Sequence, residues 1–548
     1  MKGMRHAWMG VMALFLVACG GEENAAAAYE TDRTVPDVRD VGDRLVIPLG
    51  GEPPSLLPLL AGDSGASEVG GHIYQALLTY DADLNLVPQL AARYTISDGG
   101  KTITFILRDD VFFSDGVKLT SADVLATFKA ITHPETRTPY AGDYLLVSRA
   151  EAPDARTFRV HYPEPFVPAL SSWAGLTILP AHVLAKTGDF NETSLKDTPL
   201  GTGSYTLARW VRGQSITLNR NASSTEVPFI GQLQYKLMPD ANTQFMALKK
   251  GELDMASLTP LAFSRQTDAP WFKARFNKYS ALGNAYTYVG FNLKNPLFED
   301  KRVRQALSYA VDRDGIVAAI LFGQGVPMAG IFKPGTWPYN KNLTPYPYDP
   351  DKARALLAEA GWADTNGDGV VDKDGAPFTF TLTTNQGNDA RLKTAQILQS
   401  LFADVGVEMS IKVQEWSALL TNTLQPRTFD AILMGWALGA EPDPYDIWHS
   451  SKTAPAEFNM IGYNNPRADA LMDKARREFD QTKRQKLLWE LQDILHDEQP
   501  YLWLYAPNTL MAIHKRIKNV VPAPAGLTYN LPEWWVPQEG HLRDQLAF

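Results

Sequence analysis

Residues 364–375 carry oxygen-bearing side chains at the spacing of a calcium-binding loop. Asp364, Asn366, Asp368 and Asp372 occupy positions 1, 3, 5 and 9 of such a loop, and a glycine occupies position 6. Position 12, where a bidentate glutamate normally completes the calcium shell, is a glycine here. Because Asx- and Gly-rich sequences are also common connectors, we predict a structural turn, with a weak calcium site as the open alternative.

Motifs for enzymatic chemistry are missing from the sequence. It contains no G-x-S-x-G, H-E-x-x-H, P-loop or G-x-G-x-x-G pattern, and its nine histidines lack the spacing of a metal site. The glycine-rich stretch 201–205 (GTGSY) opens a predicted strand rather than a helix, so we expect a structural turn there and not a phosphate-binding loop. No catalytic residue, resident metal or cofactor is therefore predicted.

The aromatic residues point to binding instead. Most aromatic rings fill protein cores, but Trp436 follows a glycine directly after a predicted strand at 429–434. Open α/β sheets bind ligands in the crevice beyond the ends of their strands. Trp436 is therefore predicted to form part of the wall of a ligand cleft.

The single cysteine, Cys19, ends a short amino-terminal signal. Basic residues precede an apolar stretch, 7–18, that has the length of a signal-peptide core and is too short to span a bilayer. Residues 16–20 (LVACG) resemble the lipobox of bacterial lipoproteins, in which the chain is cut before the cysteine and the cysteine is acylated. We predict a signal peptide over residues 1–18 and a lipid anchor on Cys19. An ordinary cleavable signal is the alternative.

The composition of the 548-residue chain is that of a globular protein with several domains. Its net charge of −9 disfavours nucleic acid as a partner, and one cysteine allows no intramolecular disulfide. Residues 19–43 have few large apolar side chains and are predicted to form a flexible, lipidated stalk. The protein is expected to lie in the cell envelope, where its lipid anchors it and it faces the periplasm or the exterior.

Periodicity predicts the elements that would position a site. Alternation predicts a strand over 102–107, and Thr120 with Asp123 forms a capping box before a helix. Single helices are predicted over 73–80 and 300–322. Strands that alternate with helices predict α/β lobes.

Five blocks of the sequence together match one family pattern. The blocks are 90–124 (LAARYTISDGGKTITFILRDDVFFSDGVKLTSADV), 201–205 (GTGSY), 288–314 (YVGFNLKNPLFEDKRVRQALSYAVDRD), 348–362 (YDPDKARALLAEAGW) and 429–450 (FDAILMGWALGAEPDPYDIWHS). In this order they resemble bacterial extracellular solute-binding proteins of the peptide/nickel class, family five, the receptors of oligopeptide and dipeptide ABC importers. The resemblance covers nearly the whole mature chain.

This resemblance implies the fold and its division into domains. The fold would be α/β and two-lobed, of the type II periplasmic-binding-protein kind in its large three-domain variant, with a hinge and an interlobe cleft. The implied units are lobe I (44–75, 199–285 and 506–548), an extra domain inserted in lobe I (76–198) and lobe II (286–505).

The resemblance also implies ligand-binding residues. Trp416 and Trp436 match pocket-lining tryptophans of the family, and Glu52, Tyr288 and Asn292 are further candidates. The implied ligand is an extended peptide whose backbone pairs with receptor backbone while hydrated pockets take its side chains.

One position departs from the receptors of short peptides. Those receptors place an aspartate three residues after the tryptophan of the GW pair, where its carboxylate holds the α-ammonium of the ligand. This chain has Gly439 there. Glu441 or Asp443 is predicted to substitute, or the ligand lacks a fixed amine, as longer peptides and oligosaccharides do.

The resulting expectation is a receptor and not an enzyme. It would capture an oligopeptide by lobe closure and deliver it to ABC permease subunits in the membrane, acting as a monomer without a cofactor. An oligosaccharide receptor of the same fold is the main alternative. An extracellular hydrolase and a non-transport chaperone or sensor are further alternatives, and nickel ranks lower because no cysteine or histidine cluster offers direct ligands.

Overall fold

The computed structural model describes residues 41–60, 64–138, 140–454 and 457–542. The predicted signal peptide, Cys19 and the stalk up to residue 40 lie outside the described residues. Among the helices that the structure describes, none is long and apolar enough to cross a membrane.

The strands fall into three larger sheets and two hairpins. They are β1 (Gly42–Leu49), β2 (Leu78–Tyr80), β3 (Leu86–Pro88), β4 (Ala91–Ser97), β5 (Thr102–Leu107), β6 (Arg149–Asp154), β7 (Thr157–His161), β8 (Tyr205–Val211), β9 (Ser215–Arg220), β10 (Ile230–Leu237), β11 (Met255–Ser257), β12 (Phe276–Leu282), β13 (Ala285–Phe291), β14 (Gly325–Pro327), β15 (Asp372–Lys373), β16 (Ala376–Pro377), β17 (Thr379–Asn385), β18 (Glu408–Gln414), β19 (Ala431–Ala437) and β20 (Tyr501–His514).

The α-helices lie between these strands along the chain. They are α1 (Ser64–Ile73), α2 (Ser121–Ile131), α3 (Ala169–Gly175), α4 (Ala181–Leu184), α5 (Ala241–Lys250), α6 (Pro270–Arg275), α7 (Lys301–Tyr309), α8 (Arg313–Leu321), α9 (Pro350–Glu359), α10 (Asp389–Ala403), α11 (Trp416–Leu419), α12 (Tyr445–Trp448), α13 (Pro466–Ala475) and α14 (Gln481–Glu498).

Each larger sheet carries one part of the fold. One four-stranded sheet has the order β1-β10-β9-β8, and we call the unit built on it lobe I. A second has the order β4-β5-β7-β6 and forms an inserted unit. An eight-stranded sheet has the order β11-β20-β13-β19-β17-β18, with β12 and β14 also paired to β20. Its strands β13, β19, β17 and β18 carry lobe II.

Two neighbouring segments cross between the lobes. The first part of β20 pairs with β13 of lobe II, and its last part, 508–514, pairs with β12. A two-residue link joins β12 to β13, and a Cβ at its first residue, Gly283, would lie 2.7 Å from the Pro507 carbonyl oxygen. Only glycine therefore allows the two crossing segments to approach this closely. A pair of adjacent crossing segments is the arrangement of a domain hinge.

Strand alternation sets the two faces of the lobe II sheet. Val289 and Leu433 pack into one buried cluster, whereas Tyr288 and Ile432 pack into another on the opposite face. Successive side chains of a strand point to opposite faces, so this segregation follows from the period of two. Trp436 is four residues beyond Ile432 and continues the same face.

Two predictions from the sequence, a strand and a helix start, are confirmed in the inserted unit. β5 has the predicted bounds, and α2 begins directly after Thr120. The Asp123 carboxylate accepts hydrogen bonds from the Thr120 backbone N–H at 2.7 Å and from the Thr120 hydroxyl at 3.0 Å. The capping box therefore begins this helix as the sequence predicts.

The single helix predicted over 300–322 is wrong, because two helices, α7 and α8, occupy this range. Asp312 caps the second helix by accepting a hydrogen bond from the Gly315 backbone N–H at 2.8 Å. The buried Arg313 guanidinium donates to the Ser308 carbonyl oxygen at 2.9 Å. Carbonyl groups at the end of α7 thus find a side-chain donor, and the chain can turn between the helices.

The helix predicted over 73–80 is also wrong, since α1 ends at Ile73 and a strand begins at Leu78. The Gly203 backbone N–H donates to the Ile73 carbonyl oxygen at 2.8 Å. A Cβ on Gly203 would lie 2.4 Å from the His72 carbonyl oxygen. The glycine-rich 201–205 stretch therefore packs against the end of α1, and β8 follows it as predicted.

His72 makes the stability of lobe I depend on pH. Its half-buried ring lies 5.8 Å from the Tyr205 ring and 6.3 Å from the Tyr235 ring, and burial lowers the pKa of His72 from 6.5 to about 4. Between pH 6.5 and pH 4 the unfolded chain binds a proton that the folded chain does not, so stability falls as the pH falls. We expect a loss of roughly 1–2 kcal/mol, less than the full shift implies, because the ring keeps some solvent contact.

Chemical denaturation at pH 7.5 and pH 4.5 tests this expectation. The wild-type protein should lose about 1–2 kcal/mol more than a His72→Gln variant over this interval, since other titrating groups affect both proteins equally. Equal losses in the two proteins would contradict the assignment to His72.

Candidate ligand-binding site

A cavity of about 630 Å³ lies between the two lobes. One wall comes from lobe II and includes Phe458 and residues drawn from 331–338 and 436–448. The facing side includes residues 83–85, in the turn between β2 and β3, and Pro524 near the carboxyl terminus. This volume is within the range of sites that enclose a small ligand or part of a longer one.

Trp436 is a rigid part of the lobe II wall. Its ring lies parallel to that of Tyr288, with centroids 6.4 Å apart, and meets the edge of the Phe458 ring at 5.6 Å. Its indole N–H donates to the Tyr501 hydroxyl at 3.3 Å. The strand predicted over 429–434 is displaced, because β19 begins at Ala431 and pairs with β13 as far as Ala437. Trp436 therefore lines the cavity from the end of a strand.

Two other predicted residues support this wall from behind and do not line the cavity. Tyr288 is fully buried, and its ring stacks on Tyr501 with centroids 3.9 Å apart. The Asn292 side-chain amide donates to the Phe429 carbonyl oxygen at 2.8 Å, at the opposite end of β13 from Trp436. Tyr288 therefore contributes a packing contact, and Asn292 holds the loop that contains Phe429.

Glu52 and Trp416 are not brought to the cavity either. The Glu52 carboxylate accepts hydrogen bonds from the Trp210 indole N–H at 3.2 Å and from the Gly213 backbone N–H at 2.9 Å, all within lobe I. Trp416 begins the short helix α11 and is 47% exposed. Of the seven residues predicted to bind ligand, only Trp436, Glu441 and Asp443 share this cavity.

The two cavity carboxylates that could replace the missing aspartate already have cationic partners. Glu441 pairs with the buried guanidinium of Arg484. The Asp443 carboxylate lies 3.0 Å from the Arg476 Nε, and burial raises the pKa of Asp443 while Arg476 opposes that shift. A ligand ammonium at either acid would have to compete with an arginine.

Arg476 also joins lobe II to the inserted unit. Its guanidinium lies 4.2 Å from the Tyr445 ring centroid and 4.9 Å from the Phe166 ring centroid. The Val167 backbone N–H donates to the Arg476 carbonyl oxygen at 2.8 Å. The cavity acid Asp443 is therefore paired with a residue that also contacts the inserted unit.

The carboxylates of residues 364–375 accept hydrogen bonds from groups of the same loop. Asp364 accepts hydrogen bonds from the backbone N–H groups of residues 367 and 369 at 2.7 and 3.0 Å. Asp368 accepts from the Asn366 side chain at 3.0 Å, and Asp372 accepts from the hydroxyl of residue 365 at 2.8 Å. Across the described part of the chain, no group of three or more acids, histidines or cysteines is placed to hold a metal.

Sequence reasoning missed Trp337 and Lys333, which also line the cavity. Both lie in an irregular segment after β14 that has no helical or strand period. The signal that was available is the stretch KPGTWP, where a tryptophan precedes a proline and lies two residues after a glycine. A search for tryptophans in segments rich in glycine and proline would have selected Trp337.

Comparison with known proteins places the geometry in context. The sequence profile described as "Bacterial extracellular solute-binding proteins, family 5 Middle" matches residues 85–458. The oligopeptide-binding protein AppA of Bacillus subtilis (strain 168) is 33% identical over 540 residues, which cover 96% of this chain and 97% of AppA. The glutathione-binding protein GsiB of Escherichia coli (strain K12) is 26% identical over 485 residues, covering 86% and 91% of the two chains.

Solved structures show the same fold. AppA from Bacillus subtilis in complex with a nonapeptide has a TM-score of 0.76 and 32% identity, covering 91% of this chain and 99% of AppA. DppA from Helicobacter pylori in complex with the peptide STSA has a TM-score of 0.74 and 25% identity, with the same coverage of 91% and 99%. These likenesses confirm the predicted two-lobed α/β fold.

Proposed function

This chain belongs to the bacterial extracellular solute-binding proteins of family 5, and from that membership we propose that it captures an oligopeptide in its interlobe cleft for an ABC importer. The observation that best supports this proposal is the cavity between the lobes, where Trp436 is held in the wall at the end of β19. The relative AppA, with a nonapeptide in its solved structure, supports the choice of ligand class.

The edge of β19 offers main-chain groups to an extended ligand. β13 pairs with β19 as far as Ala437, but on the other edge β17 pairs with it only at Ala431 and Ile432. Within the described residues, no strand pairs with that second edge from Met434 onward. A peptide that adds there as a strand would bind through backbone hydrogen bonds, which do not depend on side-chain identity. This arrangement supports a receptor of broad specificity.

The wall favours a peptide without a fixed amine. Gly439 offers no carboxylate, and both Glu441 and Asp443 already pair with arginines. The free amine of a dipeptide or tripeptide would therefore gain little there, whereas a longer peptide depends less on its terminus. We propose oligopeptides rather than very short peptides as the ligand.

The cellular setting completes the proposal. Cys19 would carry the lipid that holds the receptor in the cell envelope, facing the periplasm or the exterior, and permease subunits in the membrane would take the ligand. The receptor would act as a monomer and release its ligand chemically unchanged. The pairing of Glu441 and Asp443 with neighbouring arginines supports a binding role for this wall.

Isothermal titration calorimetry tests the proposal. We expect the purified protein to bind a pool of nonapeptides stoichiometrically, with dissociation constants of about 1 μM or tighter, and to bind tripeptides of the same composition more weakly. Cello- and xylo-oligosaccharides serve as the comparison. Heat with these sugars and none with any peptide pool would replace the oligopeptide proposal by an oligosaccharide receptor.

A further inference from the structure

Lys333 is the one cation among the described residues that line the cavity. It is buried, with 6% of its surface exposed, in the segment after β14. Its ammonium group donates to the Leu282 carbonyl oxygen at 3.2 Å and to the Asn284 side-chain oxygen at 2.6 Å. Both acceptors are uncharged and lie at the link between β12 and β13.

No carboxylate in the described part of the chain forms an ion pair with Lys333. The cavity acids Glu441, Asp443 and Asp446 each lie beside another cation. The remaining acid of the lining, Asp83, is exposed on the facing turn between β2 and β3. The lobe II wall therefore holds balanced acids and one positive charge without a counter-ion.

A buried cation without a counter-ion destabilises the empty site. Burial lowers the pKa of Lys333, because an ammonium group loses solvation when it leaves water. An ammonium group has three N–H donors, and neutral oxygens take two of them. An anionic oxygen in the cavity could accept the third hydrogen bond and balance the charge. Hydrogen bonds between two charged groups are shorter and stronger than neutral ones.

We propose that Lys333 binds a carboxylate of the peptide ligand, so that this receptor selects peptides by a negative group. The inference rests on the proposed peptide-binding function and specifies the ligand class of the same site. The carboxylate can be the carboxyl terminus of the peptide or an acidic side chain, which present the same chemistry. Since Lys333 contacts Leu282 and Asn284, the anion binds next to the segment that crosses between the lobes.

Competitive capture tests the proposal. Three nonapeptide pools share randomised Ala, Gly, Ser, Leu and Asn positions and carry a free carboxyl terminus, a terminal amide, or a terminal amide with one added glutamate. The purified protein is given an equimolar mixture, and mass spectrometry measures the captured fraction of each pool. We expect at least one carboxylate-bearing pool to be enriched about tenfold or more over the amide pool. The preferred pool identifies the source of the carboxylate.

Variants separate charge recognition from a structural role. Lys333→Met should reduce the enrichment to about one, whereas Lys333→Arg should retain part of it because it keeps the charge. The control Lys341→Met removes an exposed lysine from the same segment and should keep the full enrichment. Thermal melting verifies that each variant is folded.

The outcomes distinguish this inference from the proposed function. Equal capture of all three pools by the wild-type protein contradicts carboxylate recognition and leaves peptide capture intact. Enrichment that persists in Lys333→Met also contradicts it. Capture of no pool contradicts the proposed function itself.

Discussion

Replacing Arg516 with alanine is expected to lower the free energy of unfolding by about 3–5 kcal/mol. The Arg516 side chain is 4% exposed, pairs with Asp43, and lies 2.9 Å from the Asp254 carboxylate. It also donates to the Arg44 carbonyl oxygen at 3.0 Å. The variant would leave two buried carboxylates without the guanidinium that balances them, and an uncompensated buried charge is strongly destabilising.

The expected effect is large because this ion network holds three parts of the chain together. Asp43 belongs to β1, Asp254 directly precedes β11, and Arg516 follows β20. Asp254 also accepts a hydrogen bond from the Val46 backbone N–H at 2.8 Å. Asp43 lies in β1, although the predicted flexible stalk extends to residue 43. The prediction missed this because the buried partner of Asp43, Arg516, is distant along the chain.

Urea denaturation measures the effect. The control is Arg209→Ala, which removes an exposed arginine and should change the free energy of unfolding by less than about 0.5 kcal/mol. Similar stabilities for Arg516→Ala and the control would contradict the assigned role of the buried network.

Replacing Trp436 with alanine is expected to weaken oligopeptide binding at least about 30-fold, the effect of losing one aromatic hot spot. The ring lines the cavity and is held by Tyr288, Tyr501 and Phe458. It is therefore ordered before the ligand arrives, and little conformational entropy opposes its contact with a peptide. The Trp436→Ala variant would lose both the apolar area that contacts the peptide and the fixed position of this part of the wall.

Calorimetry with the nonapeptide pool measures this change. The matched control is Trp271→Ala, because Trp271 is 45% exposed on α6 and does not line the cavity. We expect the control to bind as the wild type does. Binding by Trp436→Ala within threefold of the wild type would show that the peptide does not use this wall.

Short-range signals in the sequence predicted local structure well. The strand at 102–107 and the helix after Thr120 form as predicted, because alternation and a capping box act within a few residues. The predicted helix over 300–322 is divided because Arg313 reaches carbonyl groups of the preceding helix and of β20. Contacts of that kind depend on tertiary packing, which periodicity does not report.

The candidate site was predictable only in part, for the same reason. Trp436 was identified from its glycine neighbour, its strand and the family resemblance, and the structure places it in the cavity wall. Tyr288 and Glu52 were selected from the same resemblance, but their contacts are to Tyr501 and to residues of β8 and its following turn. Lys333 was missed because its charge becomes informative only when its neutral neighbours are known.

The cleft of this receptor is expected to hold an intact peptide and to return it unchanged. Native mass spectrometry of the purified protein incubated with nonapeptides, followed by denaturation and analysis of the released ligand, tests it most directly. We expect a one-to-one complex and full recovery of peptides of unaltered mass. Shortened peptides, or the absence of a complex with every peptide pool, would contradict it.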